Sequence, residues 1–161
     1  MDDARARAAP ALIALGGDHA GLPLKRAIAE TLERDGFQVL DFGTNEAASV
    51  DYPDFAHLVA AAVSGGPARF GVLVCGSGIG MAIAANRHPG IRCAVLHDTT
   101  EARLCRAHND ANIAAFGARL TGPEVALDAL RTFLSTPYEG GRHDRRIAKL
   151  APPAPQGAAD S

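Results

Sequence analysis

A cysteine followed at once by a glycine loop is the segment of this 161-residue chain with the clearest chemical potential. Cys75-Gly76-Ser77-Gly78-Ile79-Gly80 closes a continuous apolar run, Phe70 to Cys75, and leads into a helical stretch, Met81 to Arg87. A glycine loop between a buried strand and a helix presents several main-chain N–H groups at the positive end of the helix dipole. It can hold a phosphate or a developing oxyanion. The same groups favour a thiolate, which makes Cys75 a candidate base. The competing reading is that Cys75 is only a small apolar residue ending a buried strand. A dinucleotide fingerprint needs a third glycine where Met81 stands, and a Walker loop needs a Gly-Lys-Ser or Gly-Lys-Thr, which the chain lacks.

Other polar groups are spaced so that they converge on that loop or oppose it. Asp18-His19 follows the first apolar run, so a parallel sheet brings the pair to the same carboxyl edge as Cys75, where open α/β sheets bind ligands. Alternatively Asp18 merely caps the next helix and His19 is a surface residue. His108-Asn109-Asp110 falls after the fourth helix and before the fifth strand, on the opposite edge. For His108 to meet Cys75, a second copy of the chain must deliver it, unless the loop bends back. Arg142 and Arg146 are four apart, on one face of a last helix, where two guanidinium forks suit one phosphate. Arg119 is a third candidate, and for all three a solvated face is the bland alternative. His57, His88 and His97 have no ligand spacing, so no metal is expected. Cys93 and Cys105 lack a comparable loop and are assigned to packing.

The elements that must position these residues are legible as alternation. Short apolar runs at Ala11–Leu15, Phe37–Phe42, Phe70–Cys75, Ile91–Leu96 and Asn112–Phe116 read as strands. Helical periods at Leu22–Asp35, Asp54–Ser64, Met81–Arg87, Thr99–Ala107, Pro123–Leu134 and Arg142–Leu150 lie between and after them. This is the pattern of an α/β fold with a five-stranded parallel sheet. A polar, alanine-rich start (residues 1–10) and the closing APPAPQGAADS (residues 151–161) read as loose tails around one domain, 11–150. With 47% apolar residues, 21% charged and a net charge of −2, the domain can bury a core and has no general attraction to nucleic acid. No apolar run is long enough to span a bilayer, the start has no secretory pattern, and three cysteines, odd in number and without zinc-type spacing, suit a reducing compartment. A cytoplasmic location is expected.

Taken in order, Gly17-Asp18-His19-Ala20-Gly21, Asp51-Tyr52-Pro53, the loop from Cys75 to Gly80, Ala84-Ala85-Asn86, His108 to Asn112 and Tyr138 to His143 resemble ribose-5-phosphate isomerase type B. That group also holds the galactose-6-phosphate isomerase subunits. The resemblance spans nearly the whole chain between the tails. It implies a Rossmann-like three-layer α/β/α sandwich, a homodimer or tetramer with sites shared between subunits, and isomerisation through a cis-enediolate without metal or other cofactor. It further implies Cys75 as base, Ser77 in hydroxyl proton transfer, and the loop N–H groups of Gly76, Gly78, Ile79 and Gly80 as an anion hole. By the same resemblance His108 opens the sugar ring, Asn109 and Asp18 hold hydroxyls, and His19, Arg119, Arg142 and Arg146 bind phosphate. One branch of the family uses instead a glutamate where this chain has Met81. The remaining alternatives are the same machinery on a tetrose or hexose phosphate, a non-catalytic sugar-phosphate binder, and, third, a nucleotide-binding oxidoreductase.

Overall fold

The structure is a computed structural model and describes residues 10–151. Five strands, β1 (Leu12–Gly17), β2 (Gln38–Asp41), β3 (Phe70–Cys75), β4 (Cys93–Val95) and β5 (Ile113–Gly117), form one parallel sheet in the order β2-β1-β3-β5-β4. The helices are α1 (Leu22–Arg34), α2 (Tyr52–Ser64), α3 (Ile79–Ala85), α4 (Thr99–Asn109), α5 (Pro123–Ser135) and α6 (Asp144–Ala148). Two 3-10 turns, His19–Gly21 and Gly141–His143, precede α1 and α6.

The central strand β3 is buried along its whole length, and its period of two feeds two cores. Phe70, Val72 and Val74 pack with Leu24, Ile28 and Leu32 of α1 and with Leu130 and Phe133 of α5. Leu73 and Cys75 face the other way, onto Val59 and Ala60 of α2 and Met81 and Ala85 of α3. The result is the three-layer α/β/α sandwich with a five-stranded parallel sheet that the resemblance implies.

Several boundaries differ from the sequence reading, each for a local reason. Helix α2 starts at Tyr52 because Pro53 fits its first turn. Helix α3 starts at Ile79 because Gly78, at φ 77°, turns the chain straight into it. The fourth strand shrinks to Cys93–Val95. The last helix is broken: Gly140 and Gly141 take φ of 66° and 59°, so residues 141–143 form a tight turn and α6 covers only Asp144–Ala148. Arg142 and Arg146 therefore do not share one helix face. The two expected tails, 1–10 and 151–161, lie outside the described residues apart from Pro10 and Ala151. Among the described residues no helix is long and apolar enough to cross a membrane.

Lys25 of α1 is 1% exposed, and its ammonium pairs with Asp41 at the end of β2 and donates to Asn45 Oδ1 at 3.1 Å. A buried ammonium needs such partners, and here they tie the loop after β2 to the sheet. That loop runs on to Val50, whose N–H donates to His19 Nδ1 at 3.2 Å. Lys25→Met should cost about 2–3 kcal/mol, less than the about 3–5 of a fully buried pair because Asp41 stays partly solvated. Urea unfolding measures it; a midpoint equal to the parent's would refute the anchoring role.

Candidate functional site

The loops after β1, β3 and β5 meet at the carboxyl edge of the sheet. There β1 and β3 are neighbours, and the chain leaves β1 for β2 on one side and β3 for β4 on the other, the switch point where ligands of such sheets bind. They enclose a cleft of about 590 Å³ lined by Asp18, His19, Tyr52, Cys75, Ser77 and Arg119, with Gly76, Ile79 and Gly80 in its floor and wall. Cys75 is 5% exposed at the cleft's base, and its Sγ accepts the Gly78 N–H at 3.1 Å. Ser77 Oγ accepts from the Ile79 N–H at 3.3 Å. The first turn of α3 thus offers its main-chain donors beside the sulfur.

Asp18, His19 and Ser77 at this edge are each tied to main chain. Asp18 Oδ1 accepts from the N–H groups of Ala20 and Gly21 at 3.0 and 3.1 Å, so the capping reading holds, and the same residue also lines the cleft. His19 is no free surface residue: because an amide can only donate, Nδ1 is the acceptor of Val50 N–H and Nε2 carries the proton. Arg119 is folded over Gly76, which its side chain approaches to within 3.5 Å of where a Cβ would stand. Its own N–H donates to the Gly76 carbonyl at 3.0 Å. Met81 is fully buried, in the same apolar cluster as Cys75.

His108, Asn109 and Arg146 are elsewhere. They line a second, smaller hollow of about 250 Å³ with His143, at the far end of α4. Arg142 adjoins it, its Nε donating to His143 Nε2 at 3.4 Å. The loop does not bend back, so within one chain the sequence-predicted residues divide into a sulfur-bearing set and a histidine-bearing set. The second set stands on a rigid turn. Asp110, at φ 45°, takes Arg106 Nη1 on one carboxylate oxygen at 2.7 Å and Arg92 Nη2 on the other at 3.0 Å.

Tyr52, Glu139 and His143 were not singled out from sequence, although each sits in a quoted motif. Tyr52 covers Gly80 so closely that a Cβ there would lie 2.5 Å from the ring. His108, Glu139 and His143 bring ligand atoms within 4.8 Å of one another. The two imidazoles are stacked, however, with centroids 4.5 Å apart and planes 15° apart, so no ion can lie in both ring planes. The geometry suits stacking with a carboxylate at the ring edges, not shared coordination.

The cleft thus brings a thiol, the main-chain amides of a glycine loop and an arginine together at the switch point of a doubly wound sheet, an arrangement suited to small anions. The chain belongs to the ribose/galactose isomerase family, whose model matches residues 13–150. It is 45% identical over 138 residues to ribose-5-phosphate isomerase B of Escherichia coli (strain K12), covering 86% of this chain and 93% of that one. A solved ribose-5-phosphate isomerase B of Clostridium thermocellum superposes with a TM-score of 0.85 at 49% identity, over 86% of this chain and 94% of that one. D-erythrulose-4-phosphate isomerase of Pectobacterium atrosepticum is 39% identical over 139 residues, 86% of this chain and 91% of its own.

The other two cysteines are held as thiols. Burial, then the neighbouring Cys105, pushes the Cys93 thiol up from its ordinary 9.0 to about 12. Burial pushes Cys105 to about 11. Below pH 9 both the folded and the unfolded chain keep these protons; above it only the unfolded chain loses them, so stability falls as pH rises from about 9 towards 11 and 12. Urea midpoints taken across that range should decline, and the Cys93→Ala/Cys105→Ala variant should decline less steeply. An unchanged slope in that variant would locate the alkaline sensitivity elsewhere.

Proposed function

We propose that this chain interconverts D-ribose 5-phosphate and D-ribulose 5-phosphate, as an aldose–ketose isomerase working through a cis-enediolate. The observation that carries the reading is the sulfur of Cys75 in a cleft, with the Gly78 N–H on it and the amides of the following loop beside it. Cys75 takes the proton from C2 and returns it to C1. Ser77 passes a proton between the oxygens on C1 and C2, while the N–H groups of Gly76, Gly78, Ile79 and Gly80 receive the charge that develops on them. A positioned base supplies about 10²- to 10⁴-fold and an oxyanion donor about 2.7–4 kcal/mol, so one turn of chain provides both contributions. Substrate and product are at the same overall oxidation level, so the reaction calls for no redox cofactor.

Asp18 holds substrate hydroxyls from the cleft, and His19 and Arg119 take up phosphate charge there. The histidine-bearing set acts on the site of a second copy: His108 opens the ring, Asn109 holds a hydroxyl, and Arg142 and Arg146 complete the phosphate grip. The functional unit is therefore a homodimer with two shared sites. Its support is the division of polar groups between two ends of one chain, each half incomplete alone. The exposed apolar residues Tyr52, Ile79, Ile83 and Leu120 around the Cys75 cleft suit a face covered by protein. A location in the cytoplasm fits a phosphorylated metabolite and unpaired cysteines.

A second reading keeps the machinery and changes the carbon chain, favoured by the tetrulose-phosphate relative at 39% identity. Turnover on phosphorylated tetroses, pentoses and hexoses decides between them, with the pentose expected to win; binding without conversion of any would refute catalysis. Cys75→Ala should lower turnover by about 10²- to 10⁴-fold with the fold retained. Near-parental activity would remove Cys75 as base. Mixing Cys75→Ala chains with His108→Ala chains should restore activity through one intact site per dimer, and its absence after demonstrated subunit exchange would refute the shared site.

A further inference from the structure

The loop after α5 folds back on the end of α4 in a way that packing alone does not require. The Glu139 N–H donates to the carbonyl of Ala107 at 3.0 Å, which clamps the loop one residue before His108. The left-handed pair Gly140-Gly141 then reverses the chain, and Tyr138 OH closes the reversal on Asp144 Oδ1 at 2.6 Å. The reversal lays the His143 ring flat on the His108 ring, at 4.5 Å between centroids, with His143 only 5% exposed. Glu139 Oε2 ends 3.7 Å from His108 Nε2 and 3.6 Å from His143 Nε2. An apolar side chain at 143 would fill the same space, and nothing in the fold itself asks for a carboxylate at the edge of both rings.

We infer that Glu139 and His143 are positioning residues for His108, holding its ring in one plane beside a counter-charge so that it can act as the acid in sugar-ring opening. The inference rests on the reading of His108 given above. In that step the C1–O4 bond breaks and O4 takes the proton carried by His108. The anomeric hydroxyl gives its proton to water, C1 becomes the aldehyde carbon, and solvent reprotonates His108. Stacking sets the plane of the donor, and the carboxylate balances the imidazolium before transfer. A ring free to turn would lose the alignment on which proton donation depends.

The two directions of the isomerisation separate this role from a structural one. Ribose 5-phosphate is mostly a closed furanose and must be opened. Ribulose 5-phosphate cannot close a furanose, because its 5-hydroxyl is esterified, so it needs no opening step. Initial rates from each sugar would be measured for Glu139→Gln, His143→Ala, His143→Phe and His108→Asn. Glu139→Gln and His143→Ala should lose about tenfold or more from the aldose and stay within about threefold from the ketose. His143→Phe, which keeps a flat ring in the stack, should recover most of the aldose rate. Equal losses in both directions, or no loss from the aldose in either variant, would overturn the inference. If His108→Asn itself loses both directions alike, the ring-opening reading of His108 fails. If His108→Asn is selective and the Glu139 and His143 variants are not, only the positioning inference fails.

Discussion

Three strand ends touch main chain to main chain, and the whole carboxyl edge depends on that contact. A Cβ at Gly21 would lie 2.6 Å from the carbonyl oxygen of Val74, and one at Gly117 would lie 2.6 Å from the backbone of Ser77. These glycines let the turn after β1 and the end of β5 close against β3 from both sides. Only with that closure does the loop from Gly76 to Gly80 have a fixed shape, because the Arg119 and Ala118 amides bond back to the carbonyls of Gly76 and Cys75. Amides held in place before a charge arrives stabilise it without the cost of reorganising, so rigidity here is a chemical property as much as a mechanical one.

Rigidity at the other end of the molecule is achieved with charge instead of small residues. Asp110 sits in a left-handed conformation between Arg92 and Arg106, and Arg106 in turn lies over the rings of Phe70 and Phe133 in the core. The turn carrying His108 and Asn109 is thus coupled to the sheet through a cation between aromatic faces. Lys25 does comparable work for the loop that reaches His19.

What could be read before the fold was known followed from patterns that need no partner in space. The run Phe70–Cys75, apolar throughout, marks a strand covered on both faces, and its place before a glycine loop fixes the edge at which Cys75 emerges. The separation of His108 from Cys75 followed from counting alternating elements, and the six ordered motifs carried the family. The short elements were illegible because their limits are set by single backbone events: Gly78 at φ 77° starts α3 early, and Gly140-Gly141 put a tight turn over residues 141–143, so that α6 begins only at Asp144. Tyr52, Glu139 and His143 escaped notice because their meaning lies in contacts across long sequence distance, a ring over Gly80 and a stack on His108, which periodicity does not record.

The division of polar groups between the Cys75 cleft and the far end of α4 has a thermodynamic corollary under the proposed dimer. A ligand gripped at its carbon skeleton by one chain, at its ring oxygen by the other and at its phosphate by both bridges the two, so occupancy and association must reinforce each other by linkage. Metabolite supply would then set how tightly the subunits hold together, and dilution in the absence of sugar would silence the catalyst before it unfolded it.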